Sequence, residues 1–483
     1  MDGTGLRFAE RFMPQSHVAF TVVKKTSKCY NGHARMVISH SSTNIHDEWG
    51  ILKQAETLHV DDKGRQGTTT TKGEFFSSQQ GEKTSLEHVW QTHTGARDTC
   101  EVGVHKRPLK IAMLLSGGVD SSVALALLRA AGHEVTAFYL QIWFQEDFRN
   151  TWDACPWEED LAYCNAVCDA LDVPLKTVHL SSEYWDRVVD HSIGEVKAGR
   201  TPNPDMLCNS RVKFGAFYEY LDREYGDEFD RIASGHYARI QRRGDEKNDE
   251  TRIRMVLTPD AVKDQTYFLA NLKPEQLCKA MFPLGCFTKP QVRELAMCAR
   301  LPNTSRKDSQ GICFLGKVKF DEFIREHIGE WPGPLVEEES NSVVGYHAGY
   351  WFYTVGQRKG IHLSGGPWYV TRKDVRNNAV YISRQYNASD DSRATRRRFR
   401  CVNINWLGPM RPQSQRIQCK VRHGPQMYDC TIHEKEMNEL MIELDGIDQG
   451  LAAGQYAVLY EDSVCLGCGT IMHDDSYVSL SAK

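Results

Sequence analysis

A short segment, residues 116–122, combines residue types that bind an anion. Its sequence SGGVDSS follows the apolar run 111–115 and contains two glycines, then, after Val119, an aspartate and two serines that favour a helix N-terminus. The first N–H groups of a helix have no partner within the helix and lie at the positive end of its dipole. The segment is therefore predicted to cradle a phosphate. It matches neither a Walker A loop nor the G-x-G-x-x-G turn that binds dinucleotides.

A carboxylate and a thiol form a second candidate group. In TPNPDMLCN, residues 201–209, Asp205 and Cys208 are three positions apart, about one helical turn, so their side chains can face the same point. A carboxylate beside a thiol suits proton transfer and nucleophilic attack. Farther along, Cys313 lies among Lys307, Lys317 and Lys319 in a glycine-flanked turn, where cations would stabilise a thiolate.

Two other cysteine pairs are weaker candidates for chemistry. Cys164 and Cys168 are four residues apart on the apolar stripe of a predicted helix, which favours core packing over metal binding. Cys465 and Cys468 form a C-x-x-C without a second such pair, which is insufficient for a zinc site.

The elements that must position these groups alternate between strand and helix from residue 109 to about residue 300. Apolar runs predict strands at 109–115, 133–144, 175–180 and 231–240, and helical periodicity covers 119–131, 160–172 and 210–225. This alternation predicts an α/β fold with a doubly wound parallel sheet, in which ligands bind at the carboxyl ends of strands. Ser116, Leu140 and Gly235 all fall at such ends, which indicates one nucleotide site.

The remaining sequence predicts two smaller β regions. Residues 301–385 contain short strands between glycine and proline turns, typical of a small β-rich central domain, and residues 386–483 contain strands at about ten-residue spacing, which suggests a C-terminal β-barrel. The basic run RATRRRFR, residues 393–400, is compatible with a solvated linker and with a nucleic-acid backbone contact.

Residues 1–106 are predicted to be a disordered extension, because they are polar and lack sustained periodicity. Residues 1–45 carry six Lys or Arg against only Asp2 and Glu10, the charge bias of a transit peptide. The favoured subcellular location is therefore an organelle, either a mitochondrion or a plastid, and the alternative is the cytoplasm.

Composition narrows the class of protein. With 483 residues the chain is long enough for about three domains, and its 15 cysteines, scattered without a small-scaffold framework, favour thiol chemistry in a reducing compartment. No apolar run reaches the roughly 18 residues that a membrane span requires, so no membrane partner is expected. The net charge of −4 does not exclude nucleic acid, since binding depends on local basic patches.

The motifs together resemble one family. SGGVDSS resembles the pyrophosphate loop of the N-type ATP pyrophosphatases (PP-loop superfamily), which share an adenine nucleotide α-hydrolase-like fold. SGGVDSS, TPNPDMLCN, SGHYAR, KDQTYFL, DSQGICFLG, TVGQRKG and CLGCG occur in the order found in the tRNA-specific 2-thiouridylases, over residues 107–475. The two cysteine motifs separate this family from other pyrophosphatases. The implied domains are an ATP pyrophosphatase domain (107–300), the central domain (301–385) and the barrel (386–483).

The resemblance implies a role for each matching residue. Asp205 would be the acid/base, Cys313 would carry sulfur as a persulfide, and Cys208 would free it, leaving a Cys208–Cys313 disulfide for a reductant to reopen. The target base would meet Asn203, Pro204 and Asp205. ATP would be held by Leu114, Leu115, Ser116, Gly117, Gly118, Val119, Asp120, Ser121, Leu140 and Gly235. Further tRNA contacts would come from His236, Lys263, Asp264, Gln265, Arg422, His423 and Gln455.

The implied reaction also requires cofactors and partners. A uracil C2 oxygen is a poor leaving group, so it must be adenylated by ATP before sulfur replaces it, with Mg²⁺ neutralising the departing pyrophosphate. The base must leave the stacked anticodon loop of the tRNA. A persulfide sulfur donor protein, such as a cysteine desulfurase or a relay, would load the thiol.

Other interpretations are compatible with parts of the sequence. A different N-type ATP pyrophosphatase, a ligase or an amidotransferase-linked enzyme acting on a small molecule, would need neither Cys208 nor Cys313. A non-catalytic RNA-binding protein would need no intact ATP loop. Within the favoured family, Asp205, Cys208 and Cys313 could instead hold an iron–sulfur cluster. No other set of residues is assigned to a metal.

Overall fold

The computed structural model describes residues 55–60, 66–71, 102, 107–142, 156–242, 253–307, 320–386, 396–435 and 438–473. The chain divides into two compact units, Met1–Glu82 and Lys83–Lys483. In the first unit, strands β1 (Ala55–Val60) and β2 (Gln66–Thr71) form an antiparallel pair. The sequence predicted disorder throughout residues 1–106, and the four consecutive threonines of 68–71, β-branched and therefore favourable in strands, account for the difference. Apart from these strands and Val102, the extension lies outside the described residues.

The second unit begins with a five-stranded parallel sheet of order β5-β4-β3-β6-β9. Its strands are β3 (Lys110–Leu114), β4 (Glu134–Gln141), β5 (Leu175–His179), β6 (Arg231–Ser234) and β9 (Ala280–Met281). Alternate residues of β3 enter different cores: Ile111 and Met113 pack in one apolar cluster, and Ala112 and Leu114 in another. Both faces of the sheet are thus covered, and the predicted doubly wound fold is confirmed.

Helices cover the two faces. One cluster contains the buried side of α1 (Val119–Ala130), α2 (Pro156–Leu171) and α9 (Lys289–Cys298). The other face carries α3 (Ser181–Tyr184), a π-helical turn (Trp185–Val189), α4 (Asp190–Lys197), α5 (Pro204–Leu207), a π-helical segment (Cys208–Ala216) and α6 (Phe217–Tyr225). The remaining helices are α7 (Thr266–Leu269), α8 (Pro274–Lys279) and α10 (Phe320–Ile328). Among the described helices, none has the length and apolar character needed to cross a bilayer.

A small mixed sheet forms the central domain, as predicted. Its order is β11-β10-β13-β12, and Leu335, Val370 and Val380 lie in its core. The strands are β10 (Gly333–Glu337), β11 (Val343–His347), β12 (Tyr369–Asp374) and β13 (Ala379–Ser383), with a 3-10 turn at Tyr350–Phe352.

The C-terminal β-barrel is also confirmed. Six strands, in the order β14-β17-β16-β15-β18-β19, close through pairing of β14 with β19. They are β14 (Arg398–Trp406), β15 (Arg416–Lys420), β16 (Tyr428–Lys435), β17 (Glu439–Leu444), β18 (Tyr456–Glu461) and β19 (Val464–Met472). A hairpin of β7 (Arg239–Arg242) and β8 (Ile253–Val256) extends the sheet at β19. The domain that contains the parallel sheet, called the nucleotide domain below (residues 107–300), is thereby joined to the barrel by backbone hydrogen bonds.

Two local features differ from the sequence-based picture. The run 231–240 is two strands, β6 and β7, because the chain leaves the parallel sheet at Gly235. In the described part of the basic run, Arg396 donates to the carbonyls of Asp448 and Tyr386, and Arg400 pairs with Glu439. These two arginines therefore anchor the start of the barrel. Neither role predicted for the run, a solvated linker or a contact to a nucleic-acid backbone, includes such bonds within the protein.

Candidate active site

The phosphate-binding candidate lies where β3 turns into α1. Gly118 is the N-cap of α1, and its carbonyl accepts hydrogen bonds from the Oγ atoms of Ser121 (3.1 Å) and Ser122 (2.9 Å). Ser116 N donates to Ser121 Oγ at 3.2 Å. These bonds shape the loop from inside and leave the initial N–H groups of the helix to a ligand.

Two glycines of the loop region have no room for a side chain. A Cβ on Gly117, which has a φ of +72°, would lie 2.5 Å from the carbonyl oxygen of Asp160. A Cβ on Gly235 would lie 2.6 Å from the backbone nitrogen of Ser121. Leu140, half-buried, lies near the carboxyl end of β4 beside the same loop. The structure thus brings the residues predicted to hold ATP to one edge of the sheet.

Charged and polar groups from distant segments complete this edge. Asp120 accepts hydrogen bonds from Lys289 Nζ at 2.7 and 2.9 Å and from the Tyr237 hydroxyl at 2.8 Å. Asn303, which is 0% exposed, donates through Nδ2 to the Gly117 carbonyl at 2.7 Å and to Ser122 Oγ at 2.9 Å. The loop is therefore held by the segment 289–303 as well as by its own serines.

Arg306 lies three residues after this segment. It forms an ion pair with Asp160, and its guanidinium lies 4.8 Å from the centre of the Tyr163 ring. Burial raises the pKa of the Asp160 carboxyl, and the arginine opposes that shift. Lys289, Asn303 and Arg306 were missed in the sequence, since nothing in their local pattern distinguishes them from helix-start and loop residues.

We expect Lys289→Met to weaken ATP binding. The substitution leaves the Asp120 carboxylate beside the phosphate cradle without its cation. The Lys289 side chain is 13% exposed, so loss of its charge beside the phosphates costs about 1–2 kcal/mol, or about 5- to 30-fold in ATP affinity. Titration calorimetry with ATP measures this change. Unchanged affinity in the variant would contradict the expectation.

The candidate carboxylate and thiol lie on one short helix and its continuation. Asn203 is the N-cap of α5, where its Oδ1 accepts from Met206 N at 3.2 Å, and Pro204 occupies the first helical position. Asp205 lies in the first turn and is half-buried, and Cys208 begins the π-helical segment directly after α5. The predicted one-turn spacing of the two groups is therefore present.

The π-helical segment is held by side chains from the next elements. Gln276 Nε2 donates to the Ser210 carbonyl at 2.9 Å, and Asn271 Nδ2 donates to Ser210 Oγ at 3.0 Å. A Cβ on Gly215 would lie 2.9 Å from the same carbonyl oxygen. π-helical turns are frequent at functional sites. Cys208 itself is 1% exposed, so a reaction with RNA or a second thiol requires a movement that uncovers it.

Cys313 lies outside the described residues, and so do Lys317 and Lys319. Its persulfide role and the iron–sulfur alternative therefore stay predictions. Among the described ranges, no group of three or more His, Cys, Asp or Glu side chains is arranged to hold a metal ion.

The residues predicted to touch tRNA near the nucleotide loop have different surroundings. Gln265 Oε1 accepts from Tyr237 N at 2.9 Å, and Lys263 is half-buried. Asp264 is 2% exposed, accepts from the backbone N–H groups of Thr258 and Thr266 at 2.8 and 3.2 Å, and faces Lys420. In this structure the Asp264 carboxylate is used within the protein and does not face solvent.

His236 follows Gly235 and hydrogen-bonds through Nδ1 with Ser234 Oγ at 2.8 Å. Its ring lies 6.3 Å from that of Phe214 and 6.1 Å from that of Phe282. Loss of solvent lowers the pKa of His236 well below its usual value, and Lys213 lowers it further. The surroundings of the half-buried His236 ring therefore favour its neutral form.

This shift predicts a pH-dependent contribution to stability. The unfolded chain takes up a proton at His236 as the pH falls below about 6.5, whereas the folded chain does not, so the free energy of unfolding falls there. Denaturant unfolding of native protein and His236→Gln between pH 7.5 and 5 should show a smaller loss in the variant. The control His362→Gln, at an exposed position, should keep the native pH dependence. Parallel curves for native and His236→Gln would contradict the prediction.

Two barrel residues predicted to touch tRNA lie just after β15. Arg422 is 45% exposed at its side chain and pairs with the buried carboxylate of Asp448. The His423 ring lies 4.5 Å from that of Phe268, at an interplanar angle of 31°. Burial and Lys420 lower the pKa of His423, while the charges of Asp264 and Asp205 oppose the shift. His423 is thus within electrostatic range of Asp205.

The seventh predicted contact, Gln455, points to the segment that precedes α5. Its amide bonds with Asn203 Nδ2 at 3.3 Å and with the carbonyls of Thr201 and Pro202 at 3.1 and 2.8 Å. The barrel therefore meets the nucleotide domain immediately beside Asp205.

Comparison with known proteins agrees with this three-part organisation. The sequence matches a tRNA methyl transferase HUP domain over residues 109–317, a tRNA methyl transferase PRC-barrel domain over 321–384 and an aminomethyltransferase β-barrel domain over 396–471. It is 40% identical over 371 residues to the tRNA-specific 2-thiouridylase MnmA of Parabacteroides distasonis, covering 76% of this chain and 99% of that protein. The MnmA of Porphyromonas gingivalis is 39% identical over 373 residues, covering 75% and 99%.

A solved structure is similar at a lower level. The U34-tRNA thiolase NcsA from Methanococcus maripaludis, solved with its [4Fe-4S] cluster, is 18% identical, with a TM-score of 0.29 and coverage of 46% of this chain and 65% of that one.

Proposed function

The chain belongs to the tRNA-specific 2-thiouridylase family, and we propose that it replaces the C2 oxygen of the wobble uridine in tRNA with sulfur. ATP activates that oxygen by adenylation, and AMP and pyrophosphate are released. The family's domain descriptions speak of methyl transfer, whereas the relatives matched over 99% of their length are named for thiolation. The latter matches span nearly the whole of each relative and about three quarters of this chain, so thiolation is the activity we propose.

One observation carries the proposal: a series of hydrogen bonds, connected through the residues that make them, links the phosphate cradle to the candidate thiol. Asp120 accepts from the Tyr237 hydroxyl at 2.8 Å, and Tyr237 N donates to Gln265 Oε1 at 2.9 Å. Gln265 caps α7, whose Phe268 carbonyl accepts from Asn209 Nδ2 at 3.3 Å, next to Cys208. An adenylated base and an attacking sulfur need such fixed relative positions, since misplacement by about 1 Å can cost 100-fold in rate.

We propose the following roles for the reacting groups. Asp205 exchanges protons with the base or with the attacking sulfur, and Asn203 and Pro204 hold the extruded uridine. The terminal sulfur of a Cys313 persulfide attacks C2 and displaces AMP. Cys208 then attacks Cys313 Sγ, so the S–S bond of the persulfide breaks, the sulfur stays on the base and a disulfide forms. A two-electron reductant reopens this disulfide.

The residues around the loop fit a magnesium–ATP complex. Mg²⁺ takes one or two protein carboxylates together with substrate phosphates, and Asp120 is the carboxylate of the loop, with the hydroxyls of Ser116 and Ser121 beside it. When bound, the ion would neutralise the departing pyrophosphate.

The sulfur donor and the subcellular location are further parts of the proposal. A persulfide needs a protein donor, a cysteine desulfurase or a relay, because free sulfide does not form an S–S bond with a thiol without an oxidant.

The basic bias of residues 1–45 supports import into a mitochondrion or plastid. A fluorescent protein fused behind residues 1–106 should concentrate in one of these organelles, and diffuse fluorescence would contradict this part.

The test is thiolation of tRNA carrying an unmodified wobble uridine, with ATP, Mg²⁺, a cysteine desulfurase and its cysteine substrate as the persulfide donor, and a reductant to reopen the disulfide. Mercury-affinity gel retardation detects the product, and mass spectrometry distinguishes a sulfur-for-oxygen exchange from an added methyl group. We expect thiolation that requires ATP and is absent with a wobble cytidine. Cleavage of ATP to AMP with a small-molecule acceptor and no thiolation would favour another pyrophosphatase.

A further inference from the structure

The side chain of Gln455 has little left with which to contact RNA. A glutamine amide has two N–H donors, and here Nε2 donates to the carbonyls of Thr201 and Pro202, at 3.1 and 2.8 Å. Its Oε1 accepts from Asn203 Nδ2 at 3.3 Å. Both donors are thus used on a segment more than 250 residues away in sequence. The bonds join the start of β18 to the segment 201–203.

Backbone contacts strengthen the same junction. Thr201 N donates to the Ala453 carbonyl at 2.7 Å. Gly454 has a φ of +92°, and a Cβ there would lie 2.9 Å from Arg200 Cβ and 3.0 Å from Thr201 N. The barrel turn 453–455 and the segment 200–203 therefore touch without intervening side chains.

The central domain holds this segment from another direction. The Tyr350 hydroxyl donates to the Lys197 carbonyl, and the Oγ1 atoms of Thr201 and Thr354 lie 3.5 Å apart. A Cβ on Gly199 would lie 2.4 Å from Cγ2 of Val375. Residues 197–203 are thus clamped between two domains, immediately before α5.

Asn203 transmits this clamp to the reacting groups. Its Nδ2 donates to Gln455 while its Oδ1 accepts from Met206 N at 3.2 Å, so the bond to Gln455 sets which end of the amide faces the helix. The N-cap bond favours α5, and Asp205 and Cys208 follow within five residues.

We propose that Gln455 is a positioning residue for sulfur transfer: it locks residues 201–203 onto the barrel and so orders the helix that carries Asp205 and Cys208. This role rests on the proposed function and replaces the direct tRNA contact that the family resemblance implies. A direct contact would contribute to tRNA affinity, whereas a positioning role contributes to the rate on bound tRNA.

The experiment compares native protein with Gln455→Ala, Gln455→Glu and the control Gln418→Ala. Gln455→Glu keeps an acceptor for Asn203 but turns a carboxylate oxygen toward two carbonyls. Gln418 lies in the same barrel, and within the described residues its side-chain amide donates to Asp429, at 3.1 Å in an exposed pair. We expect both Gln455 variants to lower kcat by about 10- to 100-fold, with the tRNA Kd, measured by filter binding, within about twofold of native. Gln418→Ala should behave as native.

A readout independent of activity separates this inference from the proposed function. Amide hydrogen exchange of a peptide spanning residues 199–208 should be faster in Gln455→Ala, because the N–H groups of Met206 and Leu207 bond to Asn203. Gly454→Ala should reproduce this acceleration by pushing residues 200–201 away from the barrel. A higher tRNA Kd with unchanged kcat and unchanged exchange would overturn the proposal. If the native chain fails to thiolate tRNA but hydrogen exchange is still faster in the variants, the proposed function is rejected. The role of Gln455 in holding residues 201–203 against the barrel then still stands.

Discussion

Cys208→Ser should abolish thiolation of tRNA, lowering the rate by about 1,000-fold or more. A serine hydroxyl does not ionise at neutral pH and cannot attack the Cys313 sulfur, so the persulfide would not be resolved. The side chain is 1% exposed and changes by a single atom, so the fold should persist. Mercury-affinity gels on product formed by native and variant protein measure the effect.

A matched control separates the chemistry from packing. Cys278, 4% exposed, lies in the same apolar cluster as Cys208 on α8, and Cys278→Ser should retain thiolation. Release of pyrophosphate on tRNA should continue in Cys208→Ser, because adenylation precedes the thiol step. Thiolation by Cys208→Ser at the native rate would remove Cys208 from the mechanism, and loss of activity in both variants would point to a packing effect.

Gly117→Ala should weaken ATP binding by about 100-fold or more. The methyl group would meet the Asp160 carbonyl oxygen at 2.5 Å and Arg306 Nη1 at 2.9 Å, and the φ of +72° is unfavourable for alanine. Relief of the backbone clash requires the turn to move, which displaces the N–H groups at the start of α1. A loss of about 2.7 kcal/mol in binding corresponds to this factor. Calorimetric titration with ATP tests it.

Gly132 provides the comparison for this variant. It follows Ala131, the C-cap of α1, and has a φ of +83°. A Cβ at this position would meet nothing within 4 Å. Gly132→Ala therefore carries the same type of backbone strain, about 1 kcal/mol of stability, without the clash. We expect native ATP affinity in Gly132→Ala and thermal unfolding shifted in both variants. Equal ATP affinity in the two variants would show that the packing around Gly117 does not shape the phosphate cradle.

The burial of Cys208 has a consequence for the order of events. A thiol covered by the apolar cluster is protected from solvent oxidants while the enzyme is free. His423, whose ring lies 4.5 Å from that of Phe268, belongs to the barrel loop that the family resemblance assigns to tRNA. Binding of tRNA at this loop would therefore act close to the elements that cover the thiol.

Much of this architecture follows from short-range sequence features. The apolar run of β3, the glycine turn and the serines of α1 are consecutive, so their local preferences suffice to predict the strand, the turn and the helix start. Asn203 and Pro204 likewise mark the start of α5. The regular spacing of the apolar runs, each ended by a turn, predicts the barrel strands.

The tertiary structure alone decided which distant groups meet these segments. Lys289 reaches Asp120 across 169 residues and Asn303 reaches Gly117 across 186, because α9 and its loop pack beside α1. The inward direction of Gln455 and the burial of Asp264 depend on how the barrel docks. Caps and periodicity arise between neighbours in the chain, whereas a hydrogen-bond partner or a buried charge depends on the non-local packing of whole domains, which no local pattern encodes.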